Sequence, residues 1–240
     1  MKLLALDTST FTASVAVLSD GTILEERDAK VRPPSESLLV LVRDALSSSG
    51  VTLRDLDAIA CGVGPGSFTG LRIGLATAKG LCFAAQKPLV SVSSLAALAL
   101  EAAKEARAGK LVLAILDAKR RELYAGLFRM DPNGSAPVPV TSEVVLGPDE
   151  LGAFVRAHAG STYVVVVGDG IDVYPEAAAQ AGRVLSSRRT PSAAAVGTIA
   201  TARLAGGVPD EIATATPAYL RPTEAELKFP EVKGGDPHVA

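Results

Sequence analysis

The chain has 240 residues, 48% hydrophobic and 21% charged, with a formal net charge of −2. That profile belongs to a globular chain with a substantial core and excludes disorder, and no apolar stretch approaches the ~20 residues of a membrane span. Two histidines are too few for a metal site built on clustered imidazoles, and the charge balance offers no basic stripe for gripping a nucleic-acid backbone unaided. Trp is absent, so the core must rest on Ala, Val, Leu and Ile. Cys61 and Cys82 stand among apolar and small residues and read as buried reduced thiols. The apolar run behind Met1 is too short for a signal peptide, and the expected location is the cytoplasm.

In chain order, residues 3–7, 13–18 and 22–26 read as three strands with a tight turn at Asp20-Gly21. An amphipathic helix over 35–48 follows, then an apolar strand at 56–61. The glycine-rich string from Gly62 to Gly74 leads into a helix over 69–85, and a last helix spans 93–107. The pattern then repeats: strands at 112–117 and 123–128, a turn at Asn133-Gly134 and a helix over 148–158. An apolar strand from 164 ends in Gly168-Asp169-Gly170, and helices follow over 172–181 and 192–205. Asp7 and Asp117 lie 110 residues apart, as do Ser14 and Tyr124, while Gly62 and Gly168 are 106 apart. A meander followed by alternating helix and strand, written twice, predicts an α/β chain of two related domains with mixed sheets. The expected domains are residues 1–108 and 109–223, with a Pro- and Gly-containing charged tail, 224–240, expected to be disordered.

Four glycines and a proline between Gly62 and Gly70 suit a strand-to-helix junction whose N–H groups point outward, one way to make an anion site. The glycines alone do not separate that from a tight turn without a ligand. Ser67 or Thr69 is the expected N-cap. The string is not a P-loop, because no Gly-Lys-Ser/Thr closes it. Nor is it a nucleophile elbow, because Pro65 stands where the first glycine belongs.

The duplicated plan resembles the actin-like ATPase (ASKHA) fold. That resemblance makes Asp7 and Asp117 the strand-end acids of two phosphate loops. In active members each acid begins a glycine-containing turn around the phosphates and helps organise Mg²⁺. Here the loops read Asp7-Thr8-Ser9-Thr10 and Asp117-Ala118-Lys119-Arg120-Arg121, neither contains glycine, and the second is bulky and basic. Unaided ATP hydrolysis is therefore not expected, and Asp7, Thr8, Ser9 and Asp117 are candidates for a vestigial nucleotide pocket. His158 and His238 read as surface residues, as do the carboxylate pairs Asp55/Asp57 and Glu224/Glu226. No metal site and no catalytic residue are expected.

Three strings carry a more specific resemblance: Leu4-Ala5-Leu6-Asp7-Thr8-Ser9; Gly64-Pro65-Gly66-Ser67-Phe68-Thr69-Gly70-Leu71-Arg72-Ile73-Gly74; and Asp117-Ala118-Lys119-Arg120-Arg121-Glu122-Leu123-Tyr124. With the late Pro217-Ala218-Tyr219-Leu220-Arg221, they resemble the TsaB (YeaZ) family, in order and over almost the whole chain. The resemblance implies a bacterial subunit of the machinery that makes N6-threonylcarbamoyladenosine in tRNA beside the anticodon. It implies catalysis by a paralogous partner, TsaD, which carries metal-binding histidines, together with the ATPase TsaE and a separate donor-forming enzyme. It also implies contact with tRNA mainly through that complex and no cofactor held by this chain alone, a nucleotide at a shared interface remaining open. Two positions depart from the family pattern: Pro34 precedes Ser35-Glu36 where a His is common, and Arg121 stands where a Gly is common. No ligand contact is carried onto Arg121.

An interface is expected on the first two helices. Leu38 to Val42 are five consecutive apolar residues, more than one sheet-facing stripe requires. Gly70, Gly74, Ala78 and Cys82 recur every four residues as a ridge of small side chains, and each interior Gly costs ~1 kcal/mol relative to Ala. Close approach of a partner backbone would offset that cost, as would packing of the ridge on its own sheet. The expected partner surface comprises Leu38, Leu39, Leu41, Val42, Gly70, Leu71, Gly74 and Ala78, meeting TsaD or, in its absence, a second copy of the chain. The rivals are a small-molecule kinase or ATPase of the same fold and, more remotely, a peptidase using Ser67.

Overall fold

A computed structural model describes residues 1–30, 34–102 (34–37 as backbone), 111–131, 136–185, 188–208 and 210–221. The expected domain boundary near 108–110, the end of the 93–107 helix, the Asn133-Gly134 turn and the 224–240 tail lie outside the described residues.

The first mixed sheet is built from β1 (Lys2–Asp7), β2 (Thr12–Ser19), β3 (Thr22–Lys30), β4 (Ala58–Gly62) and β5 (Leu89–Val92), in the order β3-β2-β1-β4-β5. β2 runs antiparallel to β1 and β3, while β4 is parallel to β1 and β5. The second sheet has β6 (Leu111–Lys119), β7 (Glu122–Met130), β8 (Pro137–Pro139), β9 (Val144–Leu146), β10 (Val164–Val167) and β11 (Arg183–Val184). Its order is β11-β10-β6-β7-β8, with β9 also paired to β7. β6 is antiparallel to β7 and parallel to β10, as β1 is antiparallel to β2 and parallel to β4. The duplication read from the spacing is thus a duplication of topology.

The central strands of each sheet are buried on both faces, as parallel strands require, while the edge strand β3 is largely exposed. Leu4, Leu6, Val15 and Val17 face α1 (Pro34–Ser49) and α2 (Phe68–Ala85), where Leu38, Val42, Leu75 and Ala78 meet them. Leu3, Ala5, Ala16 and Leu18 point the other way, toward Val196 and Ile199 of α7 (Ala193–Ala205). In the second sheet Leu113, Ile115 and Val166 pack with α4 (Pro148–Ala159) and α6 (Pro175–Ala181). Its opposite face, with Val112, Ala114 and Val165, packs on Leu95 and Leu98 of α3 (Ser94–Glu101). The closing helix of each half therefore lies on the other half's sheet. Gly197 fits α7 tightly there, since a Cβ would stand 2.4 Å from Leu18. Ser93 and Ser192 cap α3 and α7, accepting N–H bonds from Ala96 (3.0 Å) and Ala195 (2.9 Å) and donating to Glu143 and Glu101.

One helix differs from expectation. The segment read as a single helix over 172–181 is two short ones, α5 (Gly170–Val173) and α6. Pro175 lacks an N–H and clashes with a preceding helical turn, and Tyr174 takes φ −131°, so a new helix starts with Pro175 in its first turn. The thiols of Cys61 and Cys82 are free and buried, and burial raises both pKa values, that of Cys82 to about 12.

Candidate functional site

Asp7 ends β1 and is 1% exposed. Its Oδ1 accepts from the Ser9 N–H (2.9 Å) and Ser9 Oγ (2.6 Å), and its Oδ2 accepts from Ser94 Oγ (2.7 Å). Gly62 backs onto the same carboxylate: a Cβ there would lie 1.9 Å from Oδ2. Burial raises the Asp7 pKa, opposed by the bonds from Ser9 and Ser94. Thr8 and Ser9 are also buried, and Thr8 Oγ1 donates to the Gly70 carbonyl (2.7 Å). Asp7, Thr8 and Ser9 thus form a sealed hydrogen-bonded knot in which Asp7 and Thr8 do not line the cleft beside it.

The glycine string closes that knot. Ser67, not Thr69, is the N-cap of α2, its Oγ accepting from the Gly70 N–H at 3.4 Å, while its own N–H donates to the Ser9 carbonyl (2.7 Å). A Cβ on Gly66 would stand 2.2 Å from Ser9 O, on Gly70 2.1 Å from Thr8 O, and on Gly74 2.1 Å from Thr8 Oγ1. The close backbone approach that these glycines permit is made by the chain's own β1–β2 turn.

This revises the expected partner surface. Leu38, Val42, Leu71 and Ala78 are buried in the chain's own core, and Gly70 and Gly74 are covered by Thr8. Leu41 is partly buried against that core. Among the described side chains, the large apolar ones that α1 and α2 leave exposed are Leu39 (53%), Val40 (44%) and Phe83 (84%), with Phe68 (39%) at the start of α2 lining the cleft. Val40 is not legible from the sequence because five consecutive apolar residues do not reveal which of them face outward, and Phe83 is not because it lies outside both that run and the small-residue ridge.

Between the two halves lies a cleft of ≈ 710 Å³, within the size range of small-molecule sites. Ser67, Phe68, Thr69 and Arg72 line one wall, and Asp117, Lys119, Arg120 and Asp169 the other. Asp117 is held by Lys119: Oδ1 accepts from its N–H (2.8 Å) and Oδ2 from its Nζ (2.5 Å). The Asp117 N–H donates to Asp169 Oδ1 (2.9 Å). Asp169, missed in the sequence, is pushed up to about 6 by burial, with the Asp117 charge adding and the Asp117 N–H and Lys119 opposing. The available signal was its place in Gly168-Asp169-Gly170, the repeat of Gly62-Val63-Gly64. Beside this pair the β6–β7 turn carries Lys119, Arg120 and Arg121 at φ +62°, +55° and +60°. No cluster of three or more His, Cys, Asp or Glu side chains suited to a metal ion occurs among the described residues. None of the described helices is long and apolar enough to cross a membrane.

Residues 31–229 match the family described as TsaD: tRNA N6-adenosine threonylcarbamoyltransferase. The Escherichia coli tRNA threonylcarbamoyladenosine biosynthesis protein TsaB is 36% identical over 232 residues, spanning 96% of this chain and 99% of that protein. The structure of YeaZ from Pseudomonas aeruginosa superposes with a TM-score of 0.79 at 37% identity, covering 91% of this chain and 99% of that one. Component A of the Acidaminococcus fermentans (R)-2-hydroxyglutaryl-CoA dehydratase, at 12% identity and a TM-score of 0.51, covers 85% of this chain and 99% of its own. That distant likeness bears on the fold, which is the actin-like ATPase fold read from the duplicated plan.

Proposed function

The chain belongs to the TsaB (YeaZ) family, and from that premise we propose that it serves N6-threonylcarbamoyladenosine formation in tRNA as a non-catalytic subunit that binds and activates TsaD. The observation that carries the non-catalytic reading is Asp7. Phosphate chemistry at the strand-end acid of this fold needs a carboxylate open to Mg²⁺ and a backbone that wraps phosphate. Here both oxygens of that acid already accept bonds from Ser9 and Ser94, and Gly62 packs against it. The second acid, Asp117, is engaged by Lys119. A match of one chain to both the TsaD family and TsaB proteins is what a paralogue of the catalytic subunit gives.

The exposed Leu39, Val40 and Phe83 are the groups on α1 and α2 that we assign to TsaD, or to a second copy of the chain in its absence. TsaE and tRNA join through the assembled complex, and any nucleotide sits at a shared interface. The reading is tested by threonylcarbamoyladenosine formation with TsaD, TsaE, the donor-forming enzyme and tRNA, with and without this chain. Modification that depends on the chain is expected; equal modification without it overturns the proposal.

A further inference from the structure

The family strings, widely separated in the sequence, meet at the mouth of the cleft, where the last described segment runs from one half to the other. After α7 this segment adheres to the first half. Asp210 Oδ1 accepts from the Leu89 N–H (2.9 Å), and the Glu211 carboxylate accepts from the Ser91 N–H and Oγ and pairs with Arg203. Ala215 enters the core beneath β1, and the Ala218 N–H donates to the Val63 carbonyl (2.7 Å). Tyr219 then stacks on Phe68, with ring centroids 5.0 Å apart. Its hydroxyl accepts from Arg72 Nε (2.9 Å), whose guanidinium lies 3.8 Å above the Phe68 ring.

Two residues later the chain reaches the second half. Arg221 donates from Nη1 to the Ala118 carbonyl (3.1 Å) and from Nη2 to the Lys119 carbonyl (3.5 Å), and pairs with Glu122. Its targets belong to the β6–β7 turn with three consecutive left-handed non-glycine residues. Lys119 Nζ also lies 5.5 Å from the Phe11 ring on the first half. A guanidinium presents several donors in one rigid plane and so holds carbonyls and a carboxylate together.

We propose that Arg72, Tyr219 and Arg221 form a clasp across the cleft that fixes the angle between the two halves. Hinge motion about a cleft requires the contacts across its mouth to part; here Arg221 crosses it with hydrogen bonds and an ion pair, and the stack and hydrogen bond of Tyr219 anchor the same segment to the first half. These are positioning residues: the clasp holds the cleft walls and the α1/α2 surface in one relation to the second half, so a partner meets a preset shape. This assignment does not depend on the tRNA-modification reading.

The test uses the isolated full-length chain with spin labels at Ser47→Cys on α1 and Ser161→Cys beyond α4, both exposed, while Cys61 and Cys82 are buried. Pulsed electron–electron resonance reads the distance distribution between the halves. One narrow distribution is expected for the parent, a broadened and shifted one for Arg221→Ala, and an intermediate one for Arg221→Lys, which keeps the charge but not the fork. Tyr219→Phe deletes one hydroxyl and serves if Arg221→Ala does not fold; it is expected to broaden the distribution with little change in melting temperature. A folded Arg221→Ala chain with the parental distribution overturns the clasp, as does an unaltered distribution in Tyr219→Phe if that variant alone can be measured.

Discussion

Two glycines of α2 should respond oppositely to alanine. Gly80 lies in the helix interior, is exposed, and has nothing within 4 Å of the place a Cβ would occupy. Gly80→Ala therefore gains helix propensity without a steric opponent, and stability should rise by about 1 kcal/mol. Gly70 sits in the first turn, and its Cβ would stand 2.1 Å from the Thr8 carbonyl oxygen, about 1.3 Å short of ordinary van der Waals contact. The opposing atom is backbone in a turn knotted to Asp7, so it cannot swing aside as a side chain would. Overpacking costs ~1–3 kcal/mol, and a clash this deep against backbone belongs at the upper end, so against the ~1 kcal/mol that propensity returns a net loss of about 2 kcal/mol is expected. Urea denaturation of the isolated chain measures both. If Gly70→Ala is as stable as the parent, the glycines are not required by the chain's own packing, and the small-residue ridge reverts to a partner-facing surface.

Arg121→Gly should raise stability by about 0.5–1 kcal/mol, because a left-handed backbone is costly for arginine and open to glycine; denaturant midpoints check it, and an unchanged or lowered midpoint contradicts it. For Asp169, the pKa is about 6 in the folded chain against 3.8 for an unperturbed aspartate. Between those values the folded state holds the extra proton, so Asp169 contributes greater stability as pH falls from 7 toward 4. Asp169→Asn should remove that slope and stabilise the chain at pH 7, as seen by melting across pH; an identical pH dependence in the two chains would refute it.

Element order and the repeat were legible because they rest on local signals. Leu3/Ala5 and Leu4/Leu6 alternate between faces, and Ser67, Ser93 and Ser192 mark helix starts. The helix exchange was not legible, since α3 and α7 are both short, alanine-rich and apolar, and nothing in either names the sheet it will cover. The role of Gly70 and Gly74 was read as a choice between two close approaches; Thr8, more than sixty residues earlier, decides it. Asp7 was recognised as the strand-end acid, but its closure depends on Ser94, 87 residues away.

In the proposed role this chain acts through its surface rather than through its strand-end acid. The direct measurement compares Asp7→Asn with the double variant Leu39→Glu/Phe83→Glu in the reconstituted threonylcarbamoylation reaction, with each variant shown to be folded. Asn can accept both Ser9 bonds through Oδ1 and donate from Nδ2 to Ser94 Oγ, reversing that one bond, so Asp7→Asn should support modification at nearly the parental rate. The double variant should lose TsaD binding and modification together. Loss of modification in folded Asp7→Asn with TsaD binding intact, or full activity of the double variant, would contradict that role.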